Sequence, residues 1–187
     1  IGKLRAAKTR VTEAGEDINT LTNFKQSLSD VDKQSFSKYQ AFFSLLKNDE
    51  KSLDSEFVWD KKDPEDRLVI FTESRQTLAF LAQHLPPDLG LKDTQFCVLK
   101  GDDSDKDLMD KVERFNKLES PIRLMLATDV ASEGLNLHRL CHRLIHFDIP
   151  WSLMTFQQRN GRIDRYGQQK KPIIRYLQTD VKTTAGK

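Results

Sequence analysis

From residue 67 onward the apolar positions fall into short runs that alternate with longer, one-sided stripes. The runs are RLVIF at 67–71, QFCVL at 95–99, IRLMLA at 122–127, RLIHF at 143–147 and PIIRYL at 172–177. Each is strand-sized and lacks a polar–apolar alternation, as strands covered on both faces do. The stripes predict helices. Residues 76–85 carry Leu78, Ala79, Leu81, Ala82 and Leu85 at helical spacing, with Thr72 or Ser74 as cap and Pro86-Pro87 as stop. Residues 105–116 place Leu108, Met109, Val112 and Phe115 on one side, with Asp102, Asp103 and Ser104 as candidate caps. Residues 152–165 form the third helix, with Gly167 as its stop. Strands alternating with helices predict an α/β fold: a mainly parallel sheet with helices on both faces.

The first part of the chain reads differently. Residues 1–23 are polar with little apolar periodicity, which suits a surface helix, a remnant of an upstream domain or a mobile segment. Phe36, Tyr39, Ala41, Phe42, Phe43, Leu45 and Leu46 recur at helical spacing, so 35–47 is an amphipathic helix, capped by Ser35 or Ser37, that docks on the α/β domain. Residues 48–66 are acidic, contain Pro64 and read as a linker, with Phe57, Val58 and Trp59 as a candidate anchor. The expected organisation is a helical extension and linker over 1–66, an α/β domain over 67–180 and a short tail over 181–187.

Composition narrows the class. Hydrophobic residues make up 37% and charged residues 31% of 187. No apolar run approaches the roughly 20 residues that span a bilayer, so no membrane partner is expected. No secretory signal is visible and the first residue is Ile, so a fragment or processed chain is expected. Cys97 and Cys141 flank or sit in apolar segments and read as buried free thiols in a reducing, intracellular setting. The net charge of +2 conceals an asymmetry. Residues 49–66 hold eight acidic and three basic side chains, and 157–175 hold six basic and one acidic. The basic end is the one expected to meet a polyanion.

Candidate chemistry lies at the strand ends, where open α/β sheets bind ligands. QQRNGRIDRYGQ at 157–168 spaces Arg159, Arg162 and Arg165 three residues apart, with Gly161 among them. Like charges this close on a helix repel, and the guanidinium fork suits phosphate. At about 100° per residue, Gln158, Arg162 and Arg165 share an outward face. Leu153, Asn160 and Ile163 lie with Phe156 on the inward face. Arg159 sits at the boundary, placed to tie the helix to its own domain. The alternative is a solvated basic face. Against it stand the strand-end position and a helical glycine, which costs about 1 kcal/mol.

ATDVASEGLNL at 127–137 follows a buried strand with small and polar residues that let backbone approach a ligand. Thr128 can donate to a phosphate, and Asn136 or a carboxylate can accept from ribose. An ordinary loop with Asp129 as a helix cap is the other reading. His138, His142 and His146 beside Cys141 resemble metal ligands only superficially, because His146 lies in a strand and no second cluster completes the set; ordinary hydrogen-bonded histidines are expected and no metal site is. The chain has no GxxxxGK[ST] loop, no magnesium-binding carboxylate box and no nucleophile elbow. It holds residues that could respond to a nucleotide and lacks those that cradle one.

These stretches resemble a known family. LATDVASEGLNL and QQRNGRIDRYGQ are similar to motifs V and VI of superfamily 2 helicases. RLVIFTESRQTL resembles motif IV, and VLKGDDS the glycine motif after it, all in the family's order over 67–177. HFDIPW followed by GRIDRYGQ is closer to the Swi/Snf-type translocases of double-stranded nucleic acid, in their bacterial RapA-like branch, than to DEAD-box RNA helicases. The resemblance implies a C-terminal RecA-like lobe that works with an N-terminal RecA-like lobe, the latter supplying most of the hold on ATP and Mg²⁺. Carried over, Arg162 and Arg165 reach the γ-phosphate, with Arg165 as arginine finger. Gln158 stands near the nucleotide. Asp129, Glu133, Gly134 and Asn136 belong to the segment that links nucleotide state to the strand path. Asn136 departs from the family's frequent Asp at the ribose position. Thr72, Ser74, Arg75, Gly101 and Thr128 are implied contacts to a nucleic-acid backbone. The implied partner is double-stranded DNA, and the implied setting is a monomer in the bacterial cytoplasm, at the nucleoid. An RNA-directed helicase lobe and a non-catalytic RecA-like interaction module are the rival readings.

Overall fold

The computed structural model describes residues 15–23, 33–47, 54, 57–129 and 134–178. Contacts divide the chain into two units, Ile1–Gln40 and Ala41–Lys187. In the first, residues 15–23 are helical, and Thr20 and Thr22 donate to the carbonyls of Glu16 and Ile18 one turn back. Helix α1 (Ser37–Lys47) straddles the division. Within the second unit its Phe42, Leu45 and Leu46 are buried, and Phe42 packs edge-on to Phe147 at 5.4 Å.

Five strands form one sheet, β1 (Arg67–Phe71), β2 (Phe96–Leu99), β3 (Leu124–Ala127), β4 (Cys141–His146) and β5 (Ile173–Tyr176), in the order β2-β3-β1-β4-β5. Every pairing is parallel. Helices α2 (Arg75–Asp88), α3 (Asp105–Phe115) and α4 (Leu153–Asn160) connect β1 to β2, β2 to β3 and β4 to β5. The step from β1 to β2 runs across the sheet in one direction and the next step reverses it. Crossovers of one hand therefore put α2 on one face and α3 on the other. This is why the strands read as solid apolar runs: every residue of β1 and β3 is buried. One core face gathers Val69 and Phe71, Met125 and Ala127, Leu144, Val112 and Phe115 of α3, and Ile163 beyond α4. Leu78, Leu81 and Leu85 of α2 are buried as well.

Caps set the helix starts. The Ser74, Ser104 and Ser152 hydroxyls accept from the backbone N–H groups of Thr77, Asp107 and Thr155, each satisfying an orphan donor. The stop assigned to Pro86-Pro87 is corrected: α2 runs through both prolines to Asp88. A proline loses its donor but keeps its carbonyl, and here Leu91 and Gly90 donate to Pro86 and Pro87 at 2.8 and 2.9 Å.

Part of the expected linker is built into the α/β unit. Phe57 and Trp59 are buried, with the Trp59 indole N–H donating to the Asp66 carbonyl at 3.0 Å, whereas Val58 is half exposed. Arg67, fully buried, donates to Pro64 and to the carbonyls of Arg114, Phe115 and Lys117 at the end of α3. There its charge meets the negative end of the helix, and burial lowers its pKa to about 10. Cys141 is buried and Cys97 half-buried, both free thiols, and burial pushes each up to about 12. Neither forms a thiolate at neutral pH. Among the described residues no helix is long and apolar enough to cross a membrane.

Candidate functional site

The carboxyl ends of β1, β3 and β4 meet α4 around one buried side chain from its last turn. Arg159 is 1% exposed. Its Nε and Nη2 donate to the two oxygens of Asp129 at 2.5 and 2.7 Å. Its Nη1 donates to the Asp148 carbonyl at 2.9 Å and lies 3.3 Å from His146 Nδ1. The guanidinium only donates, so Nδ1 accepts and the His146 proton sits on Nε2, which faces Asn160 Oδ1 at 2.8 Å. Burial holds the imidazole below its usual pKa; the Asn160 hydrogen bond opposes this and the Arg159 charge adds to it. The Asp148 carboxylate accepts from the Thr72 hydroxyl and from the Glu73 backbone N–H. One polar network thus joins the turn after β1, the ends of β3 and β4, and α4.

The arginine stretch departs from the expected helix face. Helix α4 ends at Asn160 with Gly161 as its C-cap, and turns follow. Gly161 adopts φ −62 and is no interior helical glycine, so the expected cost of one does not arise. Of the positions expected inward, Leu153 at the helix start is 70% exposed, whereas Ile163, past the helix end, is fully buried as expected. The turn is stitched to the loop after β3: the Leu137 N–H donates to the Arg162 carbonyl at 3.0 Å, and Arg162 Nη1 to the Leu135 carbonyl at 3.2 Å. Arg162 is half-buried, and Arg165 is exposed with a donor on Asn136 Oδ1. So Arg162 and Arg165 project from a braced turn, both toward the 134–136 segment. Gln158 is exposed on α4 and Gly134 is exposed at φ +76. Glu133 lies outside the described residues.

A second group surrounds a cavity of about 380 Å³ between α2 and the end of β2. Arg75, Gly101 and Thr128, three of the expected nucleic-acid contacts, line it together with Lys100 and Asp102. Thr72 and Ser74 have other work: Thr72 is buried and bonded to Asp148, and Ser74 caps α2. Asp148, His146, Asn160 and Lys100 were missed as site residues. Asp148 carried a signal, a carboxylate just past a strand end; Lys100 carried only its place beside Gly101.

The helicase conserved C-terminal domain model matches residues 48–167. An uncharacterized ATP-dependent helicase, YqhH of Bacillus subtilis (strain 168), is 34% identical over 117 residues, covering 62% of this chain and 19% of the relative. The probable ATP-dependent RNA helicase DDX43 of Homo sapiens is 31% identical over 97 residues, covering 52% and 14%. This chain thus spans less than a fifth of either relative's length in its match to them. Among solved structures, the C-terminal part of the Fun30 ATPase domain aligns with a TM-score of 0.61 at 24% identity over 87% of this chain and 48% of that one. Domain 2 of the Mss116p DEAD-box helicase, bound to an RNA duplex, aligns with a TM-score of 0.51 at 20% identity over 63% and 44%. These likenesses establish a RecA-like α/β fold. With the domain model spanning both the loop after β3 and the arginine turn, the chain belongs to the helicase conserved C-terminal domain family.

Proposed function

We propose that this chain is the second RecA-like lobe of an ATP-dependent, Swi/Snf-like translocase that steps along duplex DNA. The observation that carries the reading is the braced turn that presents Arg165 at the surface beside half-buried Arg162, in a chain with no phosphate loop. The residues present fit one end of ATP: two guanidinium groups suit a terminal phosphate. They do not fit the rest, so the nucleotide's other phosphates and Mg²⁺ fall to a first lobe. When bound, ATP supplies the phosphoryl group whose transfer to water drives the cycle. Arg162 and Arg165 donate to that group only when the lobes close, and its loss releases them, a switch between two states. The Arg159 network then carries the change from the arginine turn to Thr72 and Glu73.

The RapA-like assignment and the duplex DNA substrate rest on HFDIPW and GRIDRYGQ. A second reading, an RNA-directed helicase, is favoured by relatives such as DDX43. ATP hydrolysis by the full-length protein, measured with duplex DNA and with single-stranded RNA, separates them: stimulation by RNA alone would overturn the DNA reading. A full-length protein without a phosphate loop in another lobe would leave only an interaction module.

A further inference from the structure

The cavity behind Arg75 is built differently from a groove that tracks a backbone. Its floor is apolar: Leu78, Ala79 and Ala82 from α2 and Val98 from β2. Its rim carries Arg75, Lys100 and Asp102. Neither Arg75 nor Lys100 has a side-chain hydrogen bond or ion pair among the described residues, so both donors are open to an outside anion. The turn that presents Lys100 is fixed in advance. Its backbone N–H donates to Asp103 Oδ2 at 2.9 Å, and Lys111 Nζ holds the same oxygen at 2.6 Å and the Val98 carbonyl at 3.0 Å. At about 380 Å³ the space falls at the small end of ligand pockets, which run from about 300 to 1,000 Å³.

A phosphodiester backbone alone uses the rim and leaves the floor empty. An unstacked base uses both, because its faces are apolar and its phosphate is anionic. Asp102 then accepts from a base's amino edge and repels phosphate, which directs the phosphate toward Arg75 and Lys100. We propose that this cavity captures one unpaired, unstacked nucleotide of the nucleic acid the lobe tracks, its base against Leu78, Ala79, Ala82 and Val98 and its phosphate between Arg75 and Lys100. The proposal rests on the nucleic-acid reading above and adds a preference for strand ends, bulges or mismatches over continuous duplex.

The test uses the full-length protein and two DNA duplexes that differ only in one 2-aminopurine, paired in one and bulged in the other. Tighter binding of the bulged duplex, with a rise in 2-aminopurine fluorescence as the base leaves its stack, is the expected result. Ala82→Leu fills the floor from a helix position that tolerates leucine and is expected to cut the preference for the bulge about tenfold, or about 1.4 kcal/mol. Arg75→Gln is expected to weaken both duplexes and to flatten the salt dependence of binding by about one unit of slope. Equal affinity for both duplexes, or an Ala82→Leu protein that keeps the full preference, overturns base capture and leaves the nucleic-acid reading standing. Failure to bind either duplex or single-stranded RNA overturns both.

Discussion

Arg159 and Arg165 share one short stretch and live in opposite environments. The Arg159 guanidinium is buried with Asp129, the Asp148 carbonyl and His146 around it. Arg165 is exposed and touches Asn136 alone among the hydrogen bonds found for it. A buried cation is stable only when its own chain supplies the counter-charge and the acceptors, and four of the five Arg159 N–H groups are taken up this way, with Asp148 Oδ1 3.6 Å from Nη2. Arg165 keeps donors free for an anion from elsewhere. What separates them is the end of α4 at Asn160. On the helix a side chain is directed back into the domain, and past it the turn lifts the next arginines toward the 134–136 segment. A cluster of arginines therefore divides into a brace and a sensor by where a helix stops.

The largest effect that would break this contrast is on rate. In the full-length protein Arg165→Ala is expected to lower ATP turnover about 10³–10⁵-fold, the range measured for arginine fingers, with folding stability within about 0.5 kcal/mol of wild type. Turnover near wild type would remove Arg165 from the sensor side. Arg159→Ala is expected to show in folding stability. It removes both hydrogen bonds to the Asp129 carboxylate, which is about a quarter exposed, and the one to the Asp148 carbonyl, and costs about 3 kcal/mol, the lower end for a broken buried pair. Urea unfolding reads this directly, and a loss below about 1 kcal/mol would show that the network braces little. Smaller still is Gly167→Ala. Gly167 adopts φ +95 where the chain leaves the arginine turn for β5, so a Cβ there costs about 1 kcal/mol of stability. A measured change near zero would mean that the turn relaxes freely and is not braced.

The sheet was legible because strands covered on both faces leave solid apolar runs, and RLVIF and LMLA are buried at every position. Ser74 and Ser104 were legible only among several candidate caps, beside Thr72 and beside Asp102 and Asp103, because which polar side chain turns back to the helix start depends on contacts such as that of Thr72 with Asp148. The course of 161–167 was not. Its bonds go to Leu135, Asn136 and Leu137, distant in sequence, and no periodicity within the stretch encodes them. Pro86 and Pro87 misled because they sit inside the last turn of α2, and the N–H groups of Gly90 and Leu91 just beyond its end close on their carbonyls, which a rule about missing donors does not see. Arg159 could be placed as a tie, but its partner Asp148 emerged only when β1 and β4 were paired in register.

The finest test of the brace is its proton count. Arg159 occupies His146 Nδ1 as an acceptor, and Nε2–H faces Asn160. A second proton has no acceptor and would sit against a guanidinium, so burial and that charge hold the folded-state pKa below the usual 6.5. His142, also buried, is shifted in the same direction by desolvation and by Arg143. In the unfolded chain both imidazoles protonate near their ordinary value. As pH falls below about 6.5 the unfolded state binds protons first, so stability is fully present above that pH and declines until the folded-state pKa values are reached. Urea unfolding across this window should show stability rising with pH, and His146→Gln should reduce the slope while leaving the share due to His142. An unchanged slope in His146→Gln would mean that His146 titrates freely in the folded protein, and the Arg159 brace would then be looser than its hydrogen bonds imply.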